Sequence, residues 1–171
     1  MKRTLLSRRK MRGVAAVEFG LVLIPLTLLV TGVAEFGYAI YQYDALTKAT
    51  RDAARYLSEF SPSDIAYPVA QAQCLAVYGT TDCSGSVLVS GLKTSMVVIC
   101  DRVSSTGCPG MTFGSVPTYD SNNGASSGTA AGSVNLVAVK ITGYSYAPIE
   151  PFRGLGSISF NDITTVMRQV L

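Results

Sequence analysis

The residue with the clearest chemical meaning is Glu18, because it places a carboxylate inside an apolar segment. It is the only charged residue between positions 14 and 34. A carboxylate in a lipid bilayer carries a large desolvation cost, so it is retained where a partner group offsets that cost. The chemistry that this favours is pairing with a cation in an assembled state. The alternative is a carboxylate at the membrane surface that reaches water, since Glu18 lies close to the start of the segment.

Four cysteines, Cys74, Cys83, Cys100 and Cys108, are the other candidates for chemistry. Beyond the membrane an oxidising compartment makes disulfides the default state of such residues. Of the possible pairings we favour Cys74–Cys83 and Cys100–Cys108, because each closes a short loop beside the end of a predicted element. A zinc site built from the four thiolates is the alternative, and the lack of any C-x-x-C pair argues against it.

The residue types give little support to catalysis. The chain contains no histidine, which removes Ser-His-Asp and Cys-His arrangements and histidine metal sites. Gly154-Leu155-Gly156-Ser157 lacks the lysine and the helix context of a phosphate-binding loop. The acids of the C-terminal part are scattered and predict a solvated surface. We therefore expect no enzyme activity, no cofactor, no metal and no small-molecule substrate.

The element that must position Glu18 is a helix of membrane-spanning length behind a basic leader. Six of the fourteen Lys and Arg residues lie in residues 1–12, which contain no acid. This flank predicts a cytoplasmic N-terminus and an exported C-terminal part. The apolar run of 14–34 is long enough to span roughly 30 Å of hydrocarbon. A secretory signal peptide cut near Gly32-Val33-Ala34 is the alternative, for which the run is long.

The same helix is predicted to continue beyond the membrane until Ser61-Pro62 ends it. Pro25 removes one backbone hydrogen bond inside the span, which predicts a kink. Lys48 and Asp52 are four residues apart and are expected to form a weak pair. Apolar residues at intervals of three and four define the face expected to pack on a soluble domain. That face consists of Tyr38, Tyr41, Ala45, Ala49, Ala53, Tyr56 and Phe60.

The exported part is predicted to be one small domain over 61–171. A second helix is expected over 64–78, with Ser63 or Asp64 as its cap, Pro68 tolerated only in a first turn, and Gly79 as its end. Strands are expected within 96–103, 134–146 and 157–170, the last of them broken or bent around Asn161-Asp162. The predicted fold class is therefore α+β, with a small antiparallel sheet packed on the protruding helix. Residues 104–133, rich in Gly and Ser, predict a long flexible loop that is either a recognition surface or a tolerated insertion.

The N-terminal layout resembles the type IV pilin-like proteins, and more narrowly the TadE-like pseudopilins of the tight-adherence (Flp) pilus system. Residues 12–19, with the sequence RGVAAVEF, carry the resemblance, together with the leader, the span and the alanine-rich helix end at 49–55. The resemblance implies that a membrane-embedded prepilin peptidase cuts between Gly13 and Val14. Glu18 then stands fifth in the mature chain, which is the position at which the family has its glutamate. Phe19 follows it, and the family likewise has an aromatic residue there.

The resemblance further implies what the parts of the chain do. Residues 1–13 are the leader, and 14–60 form the pilin-like helix, of which about 14–37 cross the bilayer. Glu18 of one subunit pairs with the new amine of a neighbour. The expected function is a minor structural subunit in pilus assembly and adhesion. Its expected partners are the prepilin peptidase, other pilins and pseudopilins, the assembly platform of the bacterial inner membrane, and lipid.

Two other functions remain open at this stage. One is a pseudopilin of a related secretion or DNA-uptake machine, whose helix would need the same features. The other is a membrane-anchored periplasmic binding domain that keeps its leader. A nucleic-acid partner is not expected, because the chain after residue 12 has eleven acids and only eight basic residues, and no basic face is predicted on the folded domain.

Overall fold

The chain has an α+β fold, as the sequence predicts. A computed structural model describes residues 11–119, 130–149 and 157–170, with only the backbone described at 11 and 12. The predicted leader up to residue 10, the centre of the predicted loop at 120–129, and the Gly154-Leu155-Gly156 segment lie outside the described residues. The described chain forms two compact units that divide between Ile40 and Tyr41.

The element order is two helices followed by short strands. Helix α1 spans Met11–Ser58 and helix α2 spans Val69–Tyr78, and a 3-10 turn follows at Thr94–Met96. The strands are β1 (Val97–Cys100), β2 (Val116–Thr118), β3 (Gly132–Val134), β4 (Leu136–Ile141), β5 (Ser145–Tyr146), β6 (Ile158–Ser159) and β7 (Ile163–Arg168).

The largest sheet is antiparallel and has the order β1-β4-β7. Its central strand, β4, pairs Val139 with Ile99 of β1 and with Thr165 of β7. Four of the six residues of β4 are buried, as expected for a strand covered on both faces. Two smaller antiparallel pairs, β2 with β3 and β5 with β6, complete the described strands.

One face of this sheet packs on the part of α1 that follows Tyr41. The Thr50 Oγ1 and Thr165 Oγ1 atoms are 2.9 Å apart, which joins the helix to β7 by a hydrogen bond. The rings of Tyr43 and Phe160 meet edge to face at 5.6 Å between centroids. Leu46 and Leu57 of the helix are fully buried, and burying each leucine contributes about 1.5–3 kcal/mol.

The packed face of α1 is rotated from the predicted one. Ala49 and Ala53 are buried as expected, but Tyr41 is 67% exposed. The buried positions instead follow Gln42, Leu46 and Thr50. Branched leucines bury more apolar area than alanines do. The polar residues between them find partners in the domain, so this face gains more from packing than the tyrosine face.

The opposite face of the sheet is covered by the loop that follows β1. Cys100, Cys108, Phe113 and Ala138 form a buried cluster there, and the Leu136 N–H donates to the Phe113 carbonyl at 2.7 Å. Gly107 has φ +94°, and a Cβ at this position would lie 2.7 Å from a methyl group of Val98. The first part of the predicted 104–133 loop is therefore packed against the sheet, and β2 and β3 lie within or at the end of that range.

The second helix begins later than predicted, at Val69. Pro68 occupies the position before its first residue, and no side chain caps it. The Asp64 carboxylate instead accepts a hydrogen bond from the Ala66 N–H at 3.0 Å, which favours a turn over a helical start. At the other end the prediction is confirmed, because Gly79 has φ +74° and its N–H donates to the Leu75 carbonyl.

Two predicted strands are shorter in the structure. β1 ends at Cys100 because the Asp101 carboxylate accepts hydrogen bonds from the Val103 and Ser104 N–H groups, which turns the chain. The strand predicted over 134–146 divides into β4 and β5. The break predicted around Asn161-Asp162 in the last strand is confirmed, because β6 and β7 lie on either side of it.

Both predicted cysteine pairs are disulfides in the structure. Cys74 and Cys83 have Cα atoms 4.7 Å apart, and those of Cys100 and Cys108 are 6.4 Å apart. The first bridge ties α2 to the loop behind it, and Cys83 is exposed. The second is buried in the cluster with Phe113. The Cys100–Cys108 bridge is therefore the more buried of the two, whereas the loops that the bridges close are of similar length, with sequence separations of 9 and 8.

We expect the Cys100→Ala/Cys108→Ala double variant to lose more stability than Cys74→Ala/Cys83→Ala. Both bridges close loops of similar length, so each contributes about 2.5 kcal/mol in the chain-entropy model. Removing the buried pair also leaves a cavity, which adds a cost of its own. Urea unfolding of the full chain in detergent measures the difference. Equal midpoints for the two double variants would contradict the buried cluster.

Candidate functional site

The candidate site is the start of α1, from Gly13 to Phe19. All of its residues are helical, and the side chains described there are exposed. Val14 is 59% exposed and Phe19 is 67% exposed. Val14 and Glu18 are four residues apart and lie on the same helix face, one turn from each other. Among the residues that the structure describes, no ion pair involves Glu18.

The segment that follows is exposed and apolar throughout. By its length and composition, α1 from Gly13 onwards could cross a membrane. The apolar part of the helix is not buried inside the structure. An exposed apolar surface of this length is costly in water. The helix is therefore compatible with a single-pass membrane anchor, and Glu18 lies near the start of that anchor.

The glycines of this helix make no close contact with the part of the chain that the structure describes. A Cβ atom added at Gly13, Gly20, Gly32 or Gly37 would meet no atom within 4 Å. Alanine would also be the better helix former at each position. Packing among the described residues therefore does not require glycine at these positions.

Pro25 lies inside α1, and the chain stays helical through it. The missing N–H leaves the Leu21 carbonyl without its helical donor. After Pro25, the Thr27 hydroxyl donates to the Ile24 carbonyl and the Thr31 hydroxyl donates to the Thr27 carbonyl, each at 2.8 Å. Such bonds satisfy hydroxyl groups in an apolar setting. The kink at Pro25 stays a prediction.

Between Asp44 and Arg55 the exposed side of α1 carries charged residues. The Lys48 amine lies 2.7 Å from the Asp44 carboxylate. The expected pair of Lys48 with Asp52 is therefore wrong. An acid that lies N-terminal to the base is the more favourable order in a helix. The hydrogen bond and the charge of Asp44 raise the pKa of Lys48. Both side chains are exposed, so the pair contributes little to stability.

Polar residues within the unit that begins at Tyr41 hold the helix in register, and sequence reasoning missed them. The Tyr144 hydroxyl lies 2.7 Å from Gln42 Oε1 and 3.0 Å from the Ser90 carbonyl. The Gln169 amide nitrogen donates to the Phe60 carbonyl at 3.2 Å. The available signal was the spacing of Gln42, Leu46 and Thr50, which marks one helical face once polar residues are admitted to it.

A second polar group lies near the C-terminal end of the sheet. The Tyr67 hydroxyl and Gln169 Oε1 are buried atoms that have no hydrogen-bond partner among the described residues. Burial raises the pKa of Tyr67, and the charge of Asp101 raises it further. Asp101 is occupied by the turn that it caps. Within the described ranges, no three His, Cys, Asp or Glu side chains lie close enough to hold a metal ion.

We expect the unit that begins at Tyr41 to lose stability as the pH rises above about 10, where an unfolded tyrosine ionises. The pKa of Tyr67 is raised in the folded state, so the unfolded state releases its proton at a lower pH. Above that pH the unfolded state is stabilised relative to the folded state. Tyr67→Phe should remove part of this loss and change stability little at neutral pH. Thermal unfolding at pH 8 and 11 measures it, with Tyr78→Phe as the control. An unchanged pH dependence in Tyr67→Phe would contradict this assignment.

The comparisons with known proteins concern the same helix. Residues 13–55 match the family model described as TadE-like protein. The chain matches none of the curated proteins and none of the solved structures with which it was compared. The match begins at the predicted cleavage glycine, includes Glu18 and ends in the alanine-rich part of α1. It therefore identifies the N-terminal helix of this chain as a TadE-like segment, confirming the resemblance seen in residues 12–19.

Proposed function

We propose that this chain is a minor, pilin-like subunit of a tight-adherence pilus machine in a bacterial inner membrane. The observation that carries the proposal is the TadE-like match over 13–55, which supports a pilus-related protein of the tight-adherence system. The exposed apolar surface of α1 and the carboxylate at its start are further support. The disulfides suit an oxidising periplasm around the exported unit.

The first step of the proposed mechanism is cleavage between Gly13 and Val14 by a prepilin peptidase. Hydrolysis of this peptide bond leaves a carboxylate on Gly13 and a new amine on Val14. The basic leader keeps the cut site on the cytoplasmic side. The described residues leave this bond accessible, because a Cβ added at Gly13 would meet none of their atoms within 4 Å.

The second step is lateral assembly through the apolar helix. The amine of Val14 and the carboxylate of Glu18 are both costly in lipid as isolated charges. A Glu18 side chain that pairs with the amine of a neighbouring subunit offsets both costs. The pair forms only in one register of the two helices, so it aligns the incoming subunit. Small residues such as Gly20 and Gly32 allow another helix to approach closely.

The proposal is tested by asking whether the helix does more than anchor the domain. In cells that lack this chain, the wild-type chain should restore surface pili, which are sheared off and quantified. A chain whose residues 14–40 are replaced by an unrelated apolar helix should reach the membrane but restore none. Full piliation by the replaced chain would show that the exported domain acts as an anchored binding module, and would overturn the pilin-like function.

A further inference from the structure

The outer edge of β7 has backbone groups directed away from the sheet. β7 is an edge strand in the order β1-β4-β7. The Gln169 N–H points toward the β4 side, because it donates to the carbonyl of Asn135, the residue before β4. The next N–H, that of Val170, points the other way and donates to the Ser58 carbonyl. Successive residues of an antiparallel strand alternate between the partner strand and the other side. Thr164, Val166 and Arg168 therefore direct their N–H and C=O groups outward.

These three residues form the open edge of β7, and the described part of the chain offers them no partner. No described hydrogen bond uses the outward backbone groups of Thr164, Val166 or Arg168. The sheet's other edge is treated differently, because the Gln73 amide donates to the Val97 carbonyl of β1 at 3.0 Å. A row of unpaired N–H and C=O groups is a template for a further strand.

The side chains of the open edge are compatible with such pairing. Thr165 faces α1 through its hydrogen bond to Thr50, so the alternate side chains of the open edge lie on the opposite face. They are all exposed, and Val166 at its centre is 41% exposed. β7 contains no proline and no acid, and β-branched residues favour an extended strand.

We propose that a second copy of this chain adds its β7 to the open edge, antiparallel and about a two-fold axis at Val166. Val166 then faces Val166 of the second copy, and Thr164 faces its Arg168. Each of these facing pairs exchanges two backbone hydrogen bonds, giving about six in all. The two three-stranded sheets become one six-stranded sheet. This pairing does not depend on leader cleavage or on the proposed pilus function.

Charge complementarity favours a second copy as the occupant. No like charges face each other in this register, since each Arg168 is opposite a threonine. Arg168 also lies one diagonal step from Asp162 of the second copy, within reach of a long side chain. The sheet already makes this step within one chain: Lys140 is opposite Thr164, and its amine lies 3.1 Å from the Asp162 carboxylate.

Single cysteines in the full chain test the register in native membranes. Facing Cα atoms of a hydrogen-bonded pair are about 5.5 Å apart, which suits a disulfide. Val166→Cys should therefore form a covalent dimer under mild oxidation. Thr164→Cys alone should not, because its copies lie about 14 Å apart along the strand. Coexpressed Thr164→Cys and Arg168→Cys chains with different tags should join to each other. The wild-type chain is the control for exchange with the native disulfides.

The outcomes of the cysteine test separate this pairing from its alternatives. A Val166→Cys chain that stays monomeric, or that joins a different protein, overturns the proposal. So does a Thr164→Cys chain that dimerises as strongly as Val166→Cys, because random collision would then explain both. Dimers from Val166→Cys and from the mixed pair, with none from Thr164→Cys or Arg168→Cys alone, would establish the register.

A charge substitution provides a second measurement. Val166→Glu places two carboxylates opposite each other and should abolish the dimer, measured as the mass of the purified full chain in detergent. Val87→Glu is the matched control, because Val87 is 40% exposed and lies outside β7. Both variants should still unfold cooperatively, which shows that each monomer remains folded. A dimer that persists in Val166→Glu, or that is lost equally in Val87→Glu, overturns the proposal.

Discussion

Cells that carry Gly13→Ala accumulate the chain with its leader still attached. We expect the rate of cleavage to fall by about tenfold or more, the change produced by losing about 1.4 kcal/mol of transition-state stabilisation. The physical reason lies in the peptidase site and not in the fold of the chain. A methyl group at Gly13 meets no atom of the described residues within 4 Å, and we expect it to obstruct an enzyme that must approach the scissile bond closely. A larger side chain should stop cleavage altogether.

The measurement is the ratio of precursor to mature chain on a high-resolution gel, checked by intact mass. Gly20→Ala and Gly32→Ala are matched controls, because a Cβ at either position is equally unobstructed in the structure. Both should be processed at the wild-type rate. If Gly13→Ala were cleaved as fast as these controls, this glycine would not be the recognition residue.

The Glu18→Ala variant is processed normally but is not incorporated into pili. Removing the charge lowers the cost of placing the helix in lipid, by about 2.5–3.5 kcal/mol if the carboxylate lies at the bilayer centre and by less near the surface. The variant should therefore insert in the membrane at least as well as the wild type. It lacks the group that offsets a neighbour's amine, so we expect at least a tenfold loss of the chain from sheared pili.

Two further variants identify the property of Glu18 that matters. Glu18→Gln keeps the shape and removes the charge, and it should behave like Glu18→Ala. Glu59→Ala removes an exposed carboxylate just after the end of α1, and it should be incorporated at the wild-type level. Normal incorporation of Glu18→Gln would rule out an ion pair and would favour a carboxylate that reaches water at the membrane surface.

The sequence predicted the features that depend on local chemistry. The end of α1 before Ser61-Pro62 and the Gly79 end of α2 follow from single residues with strong backbone preferences. The disulfide pairs followed from the short loops between neighbouring cysteines. The apolar run and its single carboxylate needed no tertiary information, and they led to the TadE-like resemblance that the family match confirms.

The features that depend on tertiary contacts were the ones predicted poorly. The packed face of α1 was assigned to its tyrosines, because an apolar count overlooks Gln42 and Thr50, whose partners lie more than a hundred residues away. The loop after β1 was expected to be mobile from its Gly and Ser content. Phe113 and Cys108 pack it on the sheet, and composition does not reveal such anchors. The open edge of β7 follows from strand order, which no single segment encodes.

The N-terminal residue of the mature chain tests the central claim most directly. The chain is purified from membranes of wild-type cells and of cells that lack the prepilin peptidase, and both N-termini are sequenced. The account predicts Val14 in the wild type and a leader that is still attached in the peptidase-deficient cells. A wild-type chain that begins at any residue other than Val14, or the same N-terminus in both strains, would contradict it.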